Sequence, residues 1–439
     1  MHSAGSVRLS DVADIRSSNV DKLSVEGELD VQLCNYMDVY SNERITSSID
    51  FMRATATPVE CARFRVERGD VLMTKDSETP DDIGVPAVVT EDIPGLVCGY
   101  HLALLKPDAA KVDPGYLSKW IGSTEAAAYF ARVATGSTRF GLTYSAIANT
   151  PVRLPPLVQQ RRAAEVLFLL DEAIEHTESM IAKTQQIKAG LMHDLFTRGV
   201  TADGQLRPPR EDAPELYKES ALGWIPVEWE ASGLASRGRS GAQWIRTGPF
   251  GSALKGEHWR KHGHAVITIG ALGEGEFIAS ELLFVDATDA ARLVDFQLKA
   301  GDVVFSRVAD VGRSVVVRDE QCGWIMSSNL MRIAVDVEKI RPDFLQMALA
   351  GDLRVKTQIR AQVNSGGRDV ANSNVLGRLV FTWPDPDEQD RIIDRLGQVS
   401  EFLRSEGKKC QKLRAQKLGL MNDLLSGRSA LSVSEATVI

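Results

Sequence analysis

Three histidines crowd one short stretch, His258, His262 and His264. Imidazole is a good zinc ligand, but a zinc site needs four donors, and neither a cysteine nor a suitably placed acid accompanies these three. Lys255, Arg260 and Lys261 beside them fit a solvated basic loop better. "GEGEF" at Gly273–Phe277 could cradle a phosphate only between a strand and a helix, and neither pattern flanks it. A nuclease-like set can be assembled from Pro386, Asp387, Glu406 and Lys408, yet these fall on a helical pattern whose charges read as a solvated face. There is no glycine loop ending in Lys-Ser/Thr. An Asn/Asp-Pro-Pro-aromatic tetrapeptide is also missing, because Pro155–Pro156 and Pro208–Pro209 lack the acid or amide before them. No catalytic residue, metal site or cofactor of its own is expected.

The chain does repeat the elements that would position a site. "KAGLMHDLFTRG" begins at Lys188 and "KLGLMNDLLSGR" at Lys417, an offset of 229. "LPPLVQQRRAAEVL" (from Leu154) and "WPDPDEQDRIIDRL" (from Trp383) share that offset. Upstream, "RGDVLMTK" resembles "AGDVVFSR", and "VDPGYL" resembles "IRPDFL". In the first helix Leu167, Leu170, Ile174, Thr177, Ile181, Thr184, Lys188, Leu191 and Leu195 step by three and four. Leu396, Val399, Leu403, Glu406, Cys410, Leu413, Lys417, Leu420 and Leu424 do so in the second. That period is the coiled-coil period. A narrow apolar seam on a long helix needs a partner, and the duplicate is the obvious one. Lys188 and Lys417 in the seam are expected to bury their stems and reach solvent with their ammoniums.

Before each helix lie short β-rich runs such as "VPAVV", "DVVFSR" and "NLMRIAV", broken by Gly, Pro and Asp. The fold class is therefore α+β, two mixed α/β globules alternating with two long helices that pair antiparallel. The boundaries expected are 1–153, helix 154–199, 200–382 with a Pro- and acid-rich linker at its start, helix 383–428, and a disordered tail 429–439. Charged content of 25% and a net charge of −8 exclude indiscriminate coating of DNA or anionic membrane. Five scattered cysteines without a CxxC pair, and no apolar leader, fit a cytoplasmic protein.

Two variable globules, each followed by a helix bearing "PP(L)xxQxR…KxGLMxDLL(T/S)", resemble the specificity subunit of type I restriction–modification systems. The resemblance runs over the whole chain, although "WPDPDEQDR" replaces the more usual "PPLxEQ" while keeping Gln389 and Arg391. It implies a non-catalytic, sequence-specific DNA-recognition subunit that reads a bipartite duplex target. The helices would space the two globules and dock methyltransferase subunits, two in number, with two restriction/translocase subunits joining them. S-adenosylmethionine and ATP would then belong to those partners only. The helix motif assigns partner contacts to Gln160, Arg162, Leu191, Met192, Gln389, Arg391, Leu420 and Met421. A coiled-coil scaffold joining proteins without DNA readout is the alternative.

Within the globules the chemistry of DNA contact selects the candidates. Phosphates attract Lys, Arg and small hydroxyls, and base edges attract Arg, Lys, Asn and Gln. In the first globule these are Lys75, Ser77, Ser137, Thr138 and Arg139. In the second they are Ser252, Lys255, Arg307, Ser328, Asn329 and Arg368. Arg139 and Arg368 share the offset 229, and Lys75 and Arg307 differ by 232. Tyr100 and His101 are further candidate readers. A solvated basic residue in a surface loop accounts for any one of these singly.

Overall fold

The computed structural model describes residues 6–425 apart from 242, 251–252, 274, 309–310 and 365–370. The expected tail, 429–439, lies outside the described residues. The long helices are Leu157–Thr197 and Pro386–Leu425. Proline starts the second, where a missing N–H costs nothing, and Asp385 caps it by accepting the Glu388 N–H at 2.9 Å. Every seam position named above is buried or half-buried.

The chain forms two compact units, Met1–Ser179 with Lys408–Ile439, and Met180–Gly407. Each unit thus takes the start of one long helix and the end of the other. In the first unit the two helix segments run antiparallel. Asp171 meets Lys417 at 2.6 Å, and Glu178, two turns further on, meets Arg414 at 2.6 Å and the Cys410 thiol at 3.5 Å.

The first unit holds a sheet ordered Ala13–Ser17, Leu102–Pro107, Val71–Thr74, Pro86–Val89 and Arg44–Ile45. In the second, Ile245–Thr247, Leu330–Ile333, Val303–Ser306 and Ser314–Val316 repeat the first four places. A smaller sheet recurs as well, Leu29–Cys34 between Met52–Ala56 and Leu96–Cys98, and His264–Ile267 between Leu283–Val285 and Ile325–Met326. Each unit also pairs an early strand with the strand that leads into a long helix, Ser6–Arg8 with Pro151–Arg153, and Glu230–Gly233 with Val380–Trp383.

The ends of the helices complete these cores. Leu420, Met421, Leu424 and Leu425 pack with Trp120, Phe130 and Leu167 in the first unit. Leu191, Met192, Leu195 and Phe196 pack with Phe344, Trp383 and Leu396 in the second. The twelve-residue motif recurs because each globule has one such face to cover.

The expected linker is a correction. Tyr217–Ser220 and Gly223–Pro226 form a hairpin, and Trp229 is buried. Glu388, 1% exposed, accepts the Val200 N–H at 2.7 Å and the Trp229 indole N–H at 2.9 Å, and it pairs with Arg207 through Nη2 at 3.0 Å. A carboxylate that deeply buried must be paired, and residues 200–229 supply the partners. Polar composition alone does not show that pairing.

Candidate nucleic-acid interface

In the first unit the candidates gather at the end of one central strand. Lys75 follows Val71–Thr74. Its N–H donates to the His101 carbonyl at 3.0 Å, and its carbonyl accepts the Leu142 N–H at 2.8 Å. Asp76–Ser77 then pairs with Phe140–Gly141, which pairs with Thr135–Gly136. The turn carrying Ser137, Thr138 and Arg139, all exposed, is therefore fixed beside Lys75. Gly136 permits the turn, because at φ +145° an added Cβ would lie 1.9 Å from the Arg139 carbonyl oxygen.

Two of the expected contacts face inward. Ser77 is buried, with its Oγ accepting the Thr79 N–H at 3.3 Å, so it frames the loop. Lys75 is half-buried and donates through Nζ to the Ser18 carbonyl at 3.1 Å. Asp76, absent from the candidates above, bonds through Oδ2 to His101 Nδ1 at 2.8 Å, and the Tyr100 and His101 rings lie 3.7 Å apart. Its signal in the sequence was only its place between two chosen residues.

The second unit builds the same frame. The Arg307 N–H donates to the Asn329 carbonyl at 3.1 Å, and its carbonyl accepts the Ala371 N–H at 2.8 Å. Ser328 is half-buried and Asn329 exposed next to it. The Arg307 guanidinium turns back through Nε to the Ala371 carbonyl at 3.2 Å. Lys255 is exposed at the turn Gly256–His258, and among the described residues no hydrogen bond joins it to this group. Ser252 and Arg368 lie outside the described residues. His258 accepts the Lys255 N–H on Nδ1, and among the described residues no three His, Cys, Asp or Glu gather as a metal site. Asp387 and Glu406 stand nineteen residues apart on one helix, about 28 Å at 1.5 Å per residue, too far to share an ion.

The residues expected to meet partners divide. Gln160 and Gln389 are 1% and 0% exposed and bonded wholly inside the chain, so they are corrected to structural residues. Leu191, Met192, Leu420 and Met421 are half-buried and pack against the cores, so they help close the fold while part of each side chain stays exposed. Arg162, two positions beyond Gln160 and hence on another face of the helix, is exposed. Arg391 is half-buried, and among the described residues its Nε has no hydrogen-bond partner.

Lys417 is a further correction. Its ammonium reaches no solvent-facing role but bonds Asp171 and Glu43, each at 2.6 Å. Lys119, 5% exposed, pairs with the same two carboxylates. Burial opposes ionisation of Glu43, but Lys119 and the hydrogen bonds around it prevail and hold its carboxyl at about 2 against an ordinary 4.5. The quartet joins Glu43 and Lys119 of the globule to one residue from each long helix.

Comparison with known proteins matches this architecture. No family model matches the chain. A protein of Methanocaldococcus jannaschii named as the type I restriction enzyme MjaX specificity subunit is 23% identical over 371 residues, covering 84% of this chain and 80% of that protein. The EcoBI specificity subunit of Escherichia coli is 22% identical over 317 residues, 71% of this chain and 62% of its own length. The chain is homologous to the specificity subunits of type I restriction enzymes. Among solved structures, the type I restriction–modification S subunit from M. genitalium aligns with a TM-score of 0.59 at 14% identity, covering 97% of this chain and 96% of that one. A chain from a structure of complex assembly and conformational transition in the type I system aligns at 0.51, with 16% identity, over 97% and 98%. The fold is thus the specificity-subunit fold. No helix among the described residues is long and apolar enough to cross a membrane.

Proposed function

We propose that the chain is the DNA-recognition subunit of a cytoplasmic type I restriction–modification complex. Each unit would read one half of a split duplex target. The observation that carries this is the recurrence of one backbone frame in both units, with Lys75 and Arg307 at the same place and different side chains around them. Two readers built on one frame suit two unequal half-sites. The subunit itself would be non-catalytic and hold no cofactor. Methyltransferase subunits, two per chain, would bring S-adenosylmethionine, and two restriction subunits would bring ATP. Arg162, Arg391 and the exposed parts of Leu191, Met192, Leu420 and Met421 are the helix surfaces such docking would use.

The test is co-expression of the full chain with its methyltransferase subunits, followed by selection of bound duplexes from a random library. A split consensus with a fixed gap is expected, together with adenine methylation by the complex and none by the chain alone. Stable assembly without any sequence preference would favour the scaffold.

A further inference from the structure

The two frames differ where a reader should differ. Lys75 and Arg307 keep a cation and the same two backbone bonds. The next residue is Asp76 in one unit and Val308 in the other, and the carbonyl that holds the frame belongs to His101 in one and to Asn329 in the other. A brace required by the backbone would be present in both. Among the described residues the second unit holds its frame with Val308 and Asn329 in place of the acid and the imidazole, so the Asp76–His101 bond is not what the frame needs to form.

The Asp76 carboxylate is set up to accept a hydrogen bond. His101 Nδ1 fixes Oδ2 at 2.8 Å. Oδ1 lies over Gly141, where a built Cβ would approach it to 3.3 Å, so no side chain covers it from that strand. About a third of the side chain remains exposed (33%) beside the turn of Arg139. A carboxylate beside phosphates is repelled, and it carries no proton to give to a guanine or thymine oxygen. In a major groove it accepts from an exocyclic amino group, the N4 of cytosine or the N6 of adenine.

Resting on the DNA-recognition function proposed above, we propose that Asp76, oriented by His101, is a specificity-determining residue of the first unit that reads a base amino group in its half-site. Lys75 and Arg307 serve the frame in both units, while the pairs Asp76/His101 and Val308/Asn329 make the half-sites unequal.

The experiment is library selection with the assembled complex carrying Asp76→Asn. The substitution keeps the shape, and with His101 Nδ1 donating, as it does to the carboxylate, the amide oxygen stays on the ring and the NH₂ points outward. An acceptor becomes a donor. Preference for cytosine or adenine at one position of one half-site should fall by about tenfold or more, or turn toward a base presenting an acceptor, with the other half-site unchanged. Should that variant not fold, Asp76→Val takes its place, since the frame is already built around Val308 in the second unit, and discrimination at that one position should be lost. An unchanged consensus in a folded variant overturns the proposal. So does a uniform loss of affinity for all sequences, which would mark Asp76 as a brace only. Failure of the DNA-recognition function itself would show in the unsubstituted complex, as the lack of any consensus.

Discussion

Gln160 and Gln389, at the starts of the two long helices, make the same hydrogen bonds in their separate units. Each accepts on Oε1 at 2.8 Å the N–H of the residue before a helix-starting proline, Asp113 in one case and Arg341 in the other. Each donates through Nε2 to a carbonyl two residues earlier, Lys111 or Lys339, and to a carbonyl five residues back, Pro155 or Pro384. One amide thus satisfies backbone groups from two segments that would otherwise be buried unpaired.

Gln160→Ala and Gln389→Ala should each destabilise their own unit by about 2–4 kcal/mol, because a buried donor and two acceptors lose their partner. Urea denaturation of each variant measures this, and the losses should add in the double variant because no partner is shared. A neutral substitution at either place would show that water replaces the amide.

Lys119→Met should cost about 3 kcal/mol, toward the low end for breaking a buried ion pair, because Lys417 still faces the two carboxylates. Adding Asp171→Leu should recover part of that loss, since the remaining Glu43 and Lys417 pair with each other. A double variant worse than either single variant would mean that the quartet acts by packing alone.

Acid acts on the two carboxylates of this joint in opposite senses, because burial pushes the Asp171 carboxyl up while Lys119 and the hydrogen bonds around it hold Glu43 down. The Glu43 carboxyl is held below its ordinary value in the folded chain, so its stabilisation is present above about 4.5 and is lost as pH falls toward 2. Glu43→Gln should therefore lose less stability between about pH 6 and about pH 3 than the unsubstituted protein. Parallel losses in urea titrations at the two pH values would sink this.

Gly136→Ala should distort the Thr135–Gly141 hairpin without unfolding the unit, because the clash is with one carbonyl of an exposed turn. Thermal unfolding should change little, whereas affinity for the first half-site should drop and the second half-site be read as before. Gel-shift titration with sites altered in one half at a time separates the two.

Arg139→Ala should weaken binding to all sequences alike and reduce the salt slope by about one if the guanidinium meets a phosphate. A changed preference at a single base pair, costing about 1–3 kcal/mol, would instead make Arg139 a base reader. Unchanged affinity in a salt series would place the turn away from DNA.

Much of the architecture was written in local pattern. The seam from Leu167 to Leu195 and its copy from Leu396 to Leu424 fixed two helices, because helical burial repeats every three to four residues and needs no knowledge of the partner. The offset of 229 exposed the duplication, and "VDPGYL" with "IRPDFL" carried it upstream of the helices. What the pattern could not determine was where each side chain turns. Gln160 and Met421 read as surface contacts from a motif, yet Gln160 is bonded inside and Met421 packs half-buried against a core, each through groups far away in sequence. Glu388 carries no sign of burial among its sequence neighbours, but residues 200–229 fold over it. Asp76 was passed over, because its significance comes from His101 in the turn before a neighbouring strand and from the absence of a side chain at Gly141. Periodicity reports which face of an element is buried. Only tertiary packing decides what that face meets, because hydrogen-bond and ion partners are chosen by distance in space.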